Sequence, residues 1–295
     1  MSIENSRKGR SLSLQDAKLI ARRVRFEYND WVNKWLGGKE ITKSFHGNFL
    51  KFSLESRLSR IWFLPRYRGN VIHEPAISEY LLENLGRDSV FFDIGSNIGF
   101  FTVLASHLCS EVHAFEMDPR LVVIVRENLR LNQSRAKVRI VNAAVTDKSG
   151  SNYQFSPQLE SDLLNENITA INKISVVSGP AQVAFFPVSQ SIDDYVKRND
   201  VRPNVIKMDI EGAEVFALEG MKDTLKNYRP KLIFEVHPKE IVQFGSTVEK
   251  QLNFLRELDY ELYHFSRFRN STELVPLTQT LLEENSAILA LPRSS

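Results

Sequence analysis

Cysteine is nearly absent: Cys109 is the single one in 295 residues, so no disulfide can form within the chain. That excludes the small disulfide-stapled scaffolds and points to a reducing compartment, taken here as the cytoplasm. Long apolar runs are lacking as well. No stretch reaches the roughly 20 apolar residues that span a bilayer, and the polar, charged residues 1–10 have no hydrophobic region behind them, which argues against a signal peptide. Gly and Pro are sparse at 13 and 11, no repeat is visible, and net charge is almost nil at +2. Against these absences stand 42% hydrophobic and 25% charged residues, the composition of a globular protein with a sizeable core.

The small net charge hides an asymmetry. Residues 1–70 carry 15 Lys and Arg against six Asp and Glu, and the remainder carries 23 against 30. All three tryptophans, Trp31, Trp35 and Trp62, lie in the basic part. The division expected is therefore a basic, aromatic extension over 1–73 and an acidic domain over 74–295. A Gly- and Pro-free run over 14–36, stopped by Gly37-Gly38, predicts one helix, and 41–64 reads as short strands with a turn at His46-Gly47. Three readings of the extension stay open: a solvated charged face packed on the domain, peripheral contact with an anionic membrane or acidic glycan, and homo-oligomerisation through the Trp-bearing helix.

From Glu74 onward, strand and helix signals alternate. Strands are predicted at 90–94, 111–116, 137–142, 204–210 and 231–237, and helices at 76–85, 98–109, 119–132, 213–227 and 247–258. Near-continuous apolar strands such as VFFDI and KLIFEV suit a parallel sheet covered on both faces. YELYHF (260–265) and SAILALP (286–292) follow without an intervening helix and predict an antiparallel hairpin at one edge. A polar insertion over 146–203 is expected to shape the substrate pocket.

Ligands of such a sheet bind beyond the carboxyl ends of the strands. The first strand ends in D-I-G-S-N-I-G (93–99), where Gly95 permits a sharp turn and Gly99 a close helix approach. Asp93 can anchor an amine or hold the turn. The second strand ends in Glu116, seventeen residues after Gly99, where a nucleotide-binding sheet places a carboxylate for both ribose hydroxyls. Asn142 and the small Ala143 close the third strand with an amide and room for a flat base. Asp118-Pro119 has the composition of a helix start.

The fourth strand offers Lys207, Asp209 and Glu211 at alternating positions, hence on one face, and the fifth offers Glu235 and His237. Two carboxylates beside a lysine can orient a hydroxyl, and an imidazole with a pKa near 6.5 can accept its proton. Asp209, Glu211, Glu235 and His237 have the donor chemistry for Mg²⁺ or Mn²⁺. Lys207 already compensates the charge, so the reading without a metal is preferred. Glu214 is expected to cap the following helix, and Cys109 to be inert core.

D-I-G-S-N-I-G-F-F-T (93–102), F-E-M-D-P (115–119), N-A-A-V (142–145), I-K-M-D-I-E-G-A-E (206–214) and R-P-K-L-I-F-E-V-H-P (229–238) resemble, in order, the FkbM-type S-adenosylmethionine-dependent methyltransferases. The resemblance implies the seven-stranded class I methyltransferase sheet, mostly parallel with a reversed C-terminal hairpin. It also implies the cofactor contacts: Asp93, Gly95, Ser96, Asn97 and Gly99 at the methionine and ribose, Glu116 with Met117 at the ribose, and Asn142 with Ala143 at the adenine. Met117 stands where the family commonly has Pro. The implied activity is O-methylation of a sugar, glycan or secondary metabolite by S-adenosylmethionine, with Asp209, His237, Lys207 and Glu211 at the reacting end. Two alternatives are a nucleic-acid methyltransferase and a non-catalytic nucleoside-binding protein. The first lacks an Asn/Asp-Pro-Pro-aromatic element, and the second would be expected to have lost Asp93, Glu116 or Asp209.

Overall fold

The computed structural model describes residues 38–64, 71–150, 187–265, 273–277 and 284–293, together with Val24, Glu27, Tyr28 and Trp31. The four isolated positions are helical, in agreement with the helix predicted over 14–36; the rest of that helix, and most of the basic segment on which the membrane and oligomer readings rest, lie outside the described residues.

The chain opens with an antiparallel hairpin, β1 (Glu40–Phe45) and β2 (Asn48–Ser53), turning at His46-Gly47 as predicted. The second half of the expected strand region is instead a helix, α1 (Arg57–Phe63). Ser56 caps it by accepting from the Leu58 N–H, and every residue from Leu58 to Phe63 is buried, so no exposed face betrays the helical period. α2 (Pro75–Asn84) follows, and then the α/β succession begins: β3 (Val90–Ile94), α3 (Phe100–Leu108), β4 (Glu111–Glu116), α4 (Pro119–Asn132) and β5 (Lys137–Val145). After it come β6 (Val188–Gln190), α5 (Ile192–Asn199), β7 (Val205–Met208), α6 (Glu214–Glu219), α7 (Lys222–Tyr228) and β8 (Lys231–Val236). A 3₁₀ turn (Ile241–Phe244), α8 (Val248–Glu257), β9 (Tyr260–Phe265), β10 (Leu274–Pro276) and β11 (Ser286–Pro292) complete it.

These strands form one sheet in the order β10-β9-β11-β8-β7-β3-β4-β5-β6. It runs parallel from β8 through β6, and β11 is antiparallel to both β8 and β9. The predicted seven-stranded sheet is thus present, extended at each edge by a three-residue strand. The terminal strands are the expected antiparallel pair outside β8, with β11, the later in sequence, lying between β9 and β8. The helix predicted over 213–227 is two helices, broken at Gly220 and Met221.

Part of the expected 146–203 insertion is regular structure. β6 and α5 end it, and Ile192, Tyr195 and Val196 enter the core below one sheet face. α5 is a capped helix, with Ser191 accepting from the Asp194 N–H, Asp193 and Asp194 in its first turn and Lys197 and Arg198 in its last. Residues 151–186 lie outside the described part.

The hairpin and α1 are built into the domain. Phe45, Leu50, Phe52, Trp62 and Phe63 share one apolar cluster with Phe91, Phe100, Val103 and Leu121. Two asparagines of α4 hold the edge of β2: Asn132 exchanges hydrogen bonds with the Lys51 N–H and C=O at 2.8 and 2.7 Å, and Asn128 accepts from the Ser53 N–H at 2.8 Å. The other end of the Asn128 amide donates to the Ile98 carbonyl beside the 93–99 loop. The hairpin is thereby registered against the strand-to-helix turn where the site lies.

Candidate active site

The carboxyl ends of β3, β4, β7 and β8 carry the predicted residues. At the first, Gly95 (φ +78°) brings the chain so close to the end of β7 that a Cβ would lie 1.9 Å from the Asp209 carbonyl oxygen. The Gly95 and Ser96 N–H groups both donate to the Phe115 carbonyl. Gly99 (φ +84°) leaves room for Val125 of α4, whose side chain would stand 3.0 Å from an added Cβ.

Glu116 ties this loop to the next. It is 4% exposed and accepts from the Asn97 N–H at 2.8 Å and the Asp118 N–H at 2.9 Å, one on each oxygen. Each oxygen keeps a lone pair for a hydroxyl. Burial pushes its pKa up to about 8 against the pull of those two donors. Ionisation is therefore harder folded than unfolded. In the ligand-free protein, stability should be greatest below the unfolded value near 4.5 and fall as pH rises to about 8, a loss absent from Glu116→Gln. Thermal melts of both proteins across that window check this; parallel curves would contradict it.

Asp93 is wholly buried. Its Oδ2 accepts from the Thr102 hydroxyl at 2.5 Å, which is the turn-holding role of the two expected for it. Asp93 Oδ1 and the Ser96 hydroxyl have no hydrogen-bond partner among the described residues although both are buried. Such atoms cost about 1–3 kcal/mol each unless something satisfies them, so the loop suits a ligand with a polar, cationic end. Asn142 turns its amide nitrogen to the Glu116 and Met117 carbonyls at 2.8 and 3.0 Å, which fixes the chain just after β4 and leaves its Oδ1 as a hydrogen-bond acceptor. Ala143 is buried beside it and Met117 half-buried. Asp118 caps α4 as predicted and pairs with Arg120. Cys109 is inert core, its thiol pushed up to about 12 by burial.

The reacting end gathers Lys207, Asp209, Glu211, Glu235 and His237, as predicted, and adds two residues. β7 stops at Met208, so Glu211 does not reach the site by strand alternation. It does so through a left-handed turn (φ +56°), a conformation that costs a non-glycine residue energy. Lys207, 4% exposed, lies 3.4 Å from Asp209 Oδ2 with its ammonium over the Phe101 ring at 4.9 Å. Burial lowers its pKa, but Asp209, Glu74, Asp93 and Glu235 together raise it further, and it stays charged.

His237, 1% exposed, donates or accepts through Nδ1 with Glu214 Oε1 at 3.1 Å. Its Nε2 faces Glu211 Oε2 at 3.4 Å, Asp209 Oδ1 at 3.6 Å and Glu235 Oε1 at 3.9 Å. Burial depresses the imidazole pKa, and Glu214, Glu211 and Asp209 outweigh it, holding the value well above the ordinary one. With nothing bound, these carboxylates hold a proton on the ring more tightly than a free imidazole does, which works against the general-base role expected for His237.

Glu211 is likewise raised well above the carboxylate range, by burial first and then by Asp209. Asp209 and Glu211 are also the partly open members of the cluster, with side chains 23% and 16% exposed, whereas Lys207, Glu214, Glu235 and His237 are enclosed. Asp209 and Glu211 are therefore the members of the cluster that a molecule entering from outside can reach.

Glu74 and Glu214 were not anticipated here. Glu74 is buried at the start of α2 in a left-handed conformation, its carboxylate within 4.8 Å of ligand atoms of Asp209 and Glu235. In sequence it is merely a Glu before a helix-starting Pro. Glu214, expected as a helix cap, is wholly buried and accepts from the Ile210 N–H at 3.1 Å besides meeting His237. Its place at the end of K-M-D-I-E-G-A-E was the available signal.

This arrangement agrees with the comparison to known proteins. The Methyltransferase FkbM domain profile matches residues 93–262, more than half of the chain. The chain belongs to the FkbM methyltransferase family. It is thereby an S-adenosylmethionine-dependent methyltransferase. A curated relative, hexuronic acid methyltransferase AglP of Haloferax volcanii, is 27% identical over 225 residues, 74% of this chain and 85% of the relative. Among solved structures, methyltransferase FkbM from Methylobacillus flagellatus KT is 14% identical with a TM-score of 0.42, covering 72% of this chain and half of that one. An rRNA methylase from Streptococcus thermophilus is 13% identical with a TM-score of 0.42, covering 74% of this chain and 95% of that one.

Proposed function

We propose that this FkbM-family enzyme transfers the methyl group of S-adenosylmethionine to a hydroxyl of a sugar, glycan or secondary metabolite. The observation that carries the reading is the pair Asp209 and Glu211, open toward the acceptor and backed by enclosed Lys207 and His237. The bound donor supplies a methyl carbon already activated by its sulfonium. What the chain must do is hold the acceptor oxygen about 3 Å from that carbon and give its proton a destination. Carboxylates accept a hydrogen bond from a hydroxyl and so orient its lone pair. As the O–C bond forms and the C–S bond breaks, the hydroxyl proton passes to the Asp209–Glu211 pair, where Glu211 has the raised proton affinity that suits it to receive one.

The name of the Haloferax relative supports a sugar acceptor for this chain as well. A hexuronic acid offers both hydroxyls and a carboxylate. Asp209, Glu211, Glu235, Glu74 and Glu214 crowd the reacting end, and this surplus of negative charge favours the neutral hydroxyl over a second anion.

The test is methyl transfer from isotopically labelled S-adenosylmethionine to uronic-acid-containing and neutral glycans, followed by mild alkali. A label that survives alkali is an ether and supports the proposal. A label released by alkali is an ester and overturns the hydroxyl assignment, and transfer to RNA or DNA instead would overturn the acceptor class.

A further inference from the structure

In the sequence, Lys207 offers the charge that compensates the carboxylates and disfavours a metal. In the fold, Lys207 occupies only one side of the cluster. Its Nζ faces Asp209 Oδ2, whereas Asp209 Oδ1 faces the other way, toward His237 Nε2. On that far side Asp209, Glu211 and His237 each present a ligand atom, all within 4.8 Å of one another.

Two further features set this group apart from an ordinary acidic patch. One is His237 itself. Its Nδ1 is engaged by the wholly buried Glu214, so that Nε2 is the atom aimed into the group. Nε2 stands 3.4, 3.6 and 3.9 Å from three carboxylate oxygens and forms a hydrogen bond with none of them. A buried carboxylate on the remote nitrogen is the arrangement that orients a metal-ligating histidine. The other feature is spacing. A cation with bonds of about 2.1 Å separates neighbouring ligand atoms by about 3.0 Å in octahedral and about 3.4 Å in tetrahedral geometry, so Nε2 already stands close to ligand spacing from the two oxygens.

We infer that Asp209 Oδ1, Glu211 Oε2 and His237 Nε2 form a binding site for a divalent cation, which takes the place of the Nε2 proton as that proton leaves to solvent. One imidazole and two carboxylates suit Mn²⁺ or a cation of similar hardness. Glu235 and Glu74, which form a second converging set with Asp209, lie alongside and add to the negative field that retains the cation. Asp209 and Glu211 are the partly open members of the cluster, so the cation would have room for oxygen ligands from outside the chain. Neighbouring hydroxyls of a sugar are such ligands. The inference rests on the proposed hydroxyl acceptor for its use, but not for its existence.

The experiment is Mn²⁺ titration of the full-length protein saturated with S-adenosylhomocysteine, read by electron paramagnetic resonance of free Mn²⁺ and by calorimetry. One site per chain is expected, weakened at least tenfold in His237→Ala and in Glu211→Gln and unchanged in Glu249→Gln on α8. Retained S-adenosylhomocysteine binding shows that each variant is folded. No Mn²⁺ binding in the wild type, or binding indifferent to both substitutions, overturns the inference. Methyl transfer to a hydroxyl that persists with chelator in a protein that binds no Mn²⁺ would do the same while leaving the proposed function intact. Labelled ester instead of ether, with the Mn²⁺ site present, would remove the proposed function and leave the cation site standing.

Discussion

Glu116→Ala should weaken binding of S-adenosylhomocysteine by at least about a hundredfold. The substitution removes the carboxylate that ends β4 and ties the 93–99 loop to the start of α4. Hydrogen bonds from a ribose diol to the ionised carboxylate are worth roughly 1.5–3 kcal/mol each, and every 1.4 kcal/mol is about tenfold in affinity, so the comparison is made above pH 8, where Glu116 is ionised. Alanine also strands the Asn97 and Asp118 N–H groups, which loosens the loop that presents them. Glu116→Gln separates the two effects, because its carbonyl can still accept one of the N–H groups while the charge is gone. Calorimetry on both variants is the measurement. Affinity for S-adenosylhomocysteine within threefold of wild type in Glu116→Ala would remove Glu116 from ribose recognition.

Gly95→Ala should cost more than about 4 kcal/mol of stability, a fall in melting temperature of roughly 10 °C or more for a domain of this size. Two causes add. A non-glycine residue at φ +78° carries about 1–3 kcal/mol of backbone strain. The new Cβ would also meet the Asp209 carbonyl oxygen at 1.9 Å, a backbone atom that can move only by displacing the end of β7. Gly47→Ala isolates the first cause, since Gly47 has φ +81° with nothing within 4 Å of an added Cβ. Equal losses in the two variants would show that the loop crossing is not tight. Because the displaced strand end carries Asp209, any folded Gly95→Ala protein should also lose turnover out of proportion to its cofactor affinity.

The two halves of the site differ in how far they could be read from the chain. The cofactor half is local. A strand, a glycine turn and the next strand end bring Asp93, Gly95 and Glu116 into fixed relation over a short stretch, so spacing alone locates them. The reacting half is assembled from four separated places: the start of α2, the end of β7, the start of α6 and the end of β8. Glu74 was invisible because nothing near it in sequence has a periodicity to break, and a Glu before a helix-starting Pro is ordinary. α1 and α5 were missed for a related reason, each being short, and α1 buried along nearly its whole length.

Charge was also legible only as a sum. The two parts of the chain, a basic 1–70 and an acidic remainder, are evident by counting, and so are the several carboxylates around Asp209. Whether Lys207 compensates those carboxylates depends on which oxygen of Asp209 it faces, a matter of side-chain placement.

The alternation of the main strands and helices from β3 onward, the core-forming runs and the turn that joins Gly95 to Glu116 are thus legible in the sequence itself, since each follows from periodicity or from residues close together along the chain. The protonation of His237, the remote buried carboxylate that holds its Nδ1 and the one-sided position of Lys207 were decided only in the tertiary structure. These depend on distances between residues up to 28 positions apart, and on burial, which sets how strongly one charge feels another.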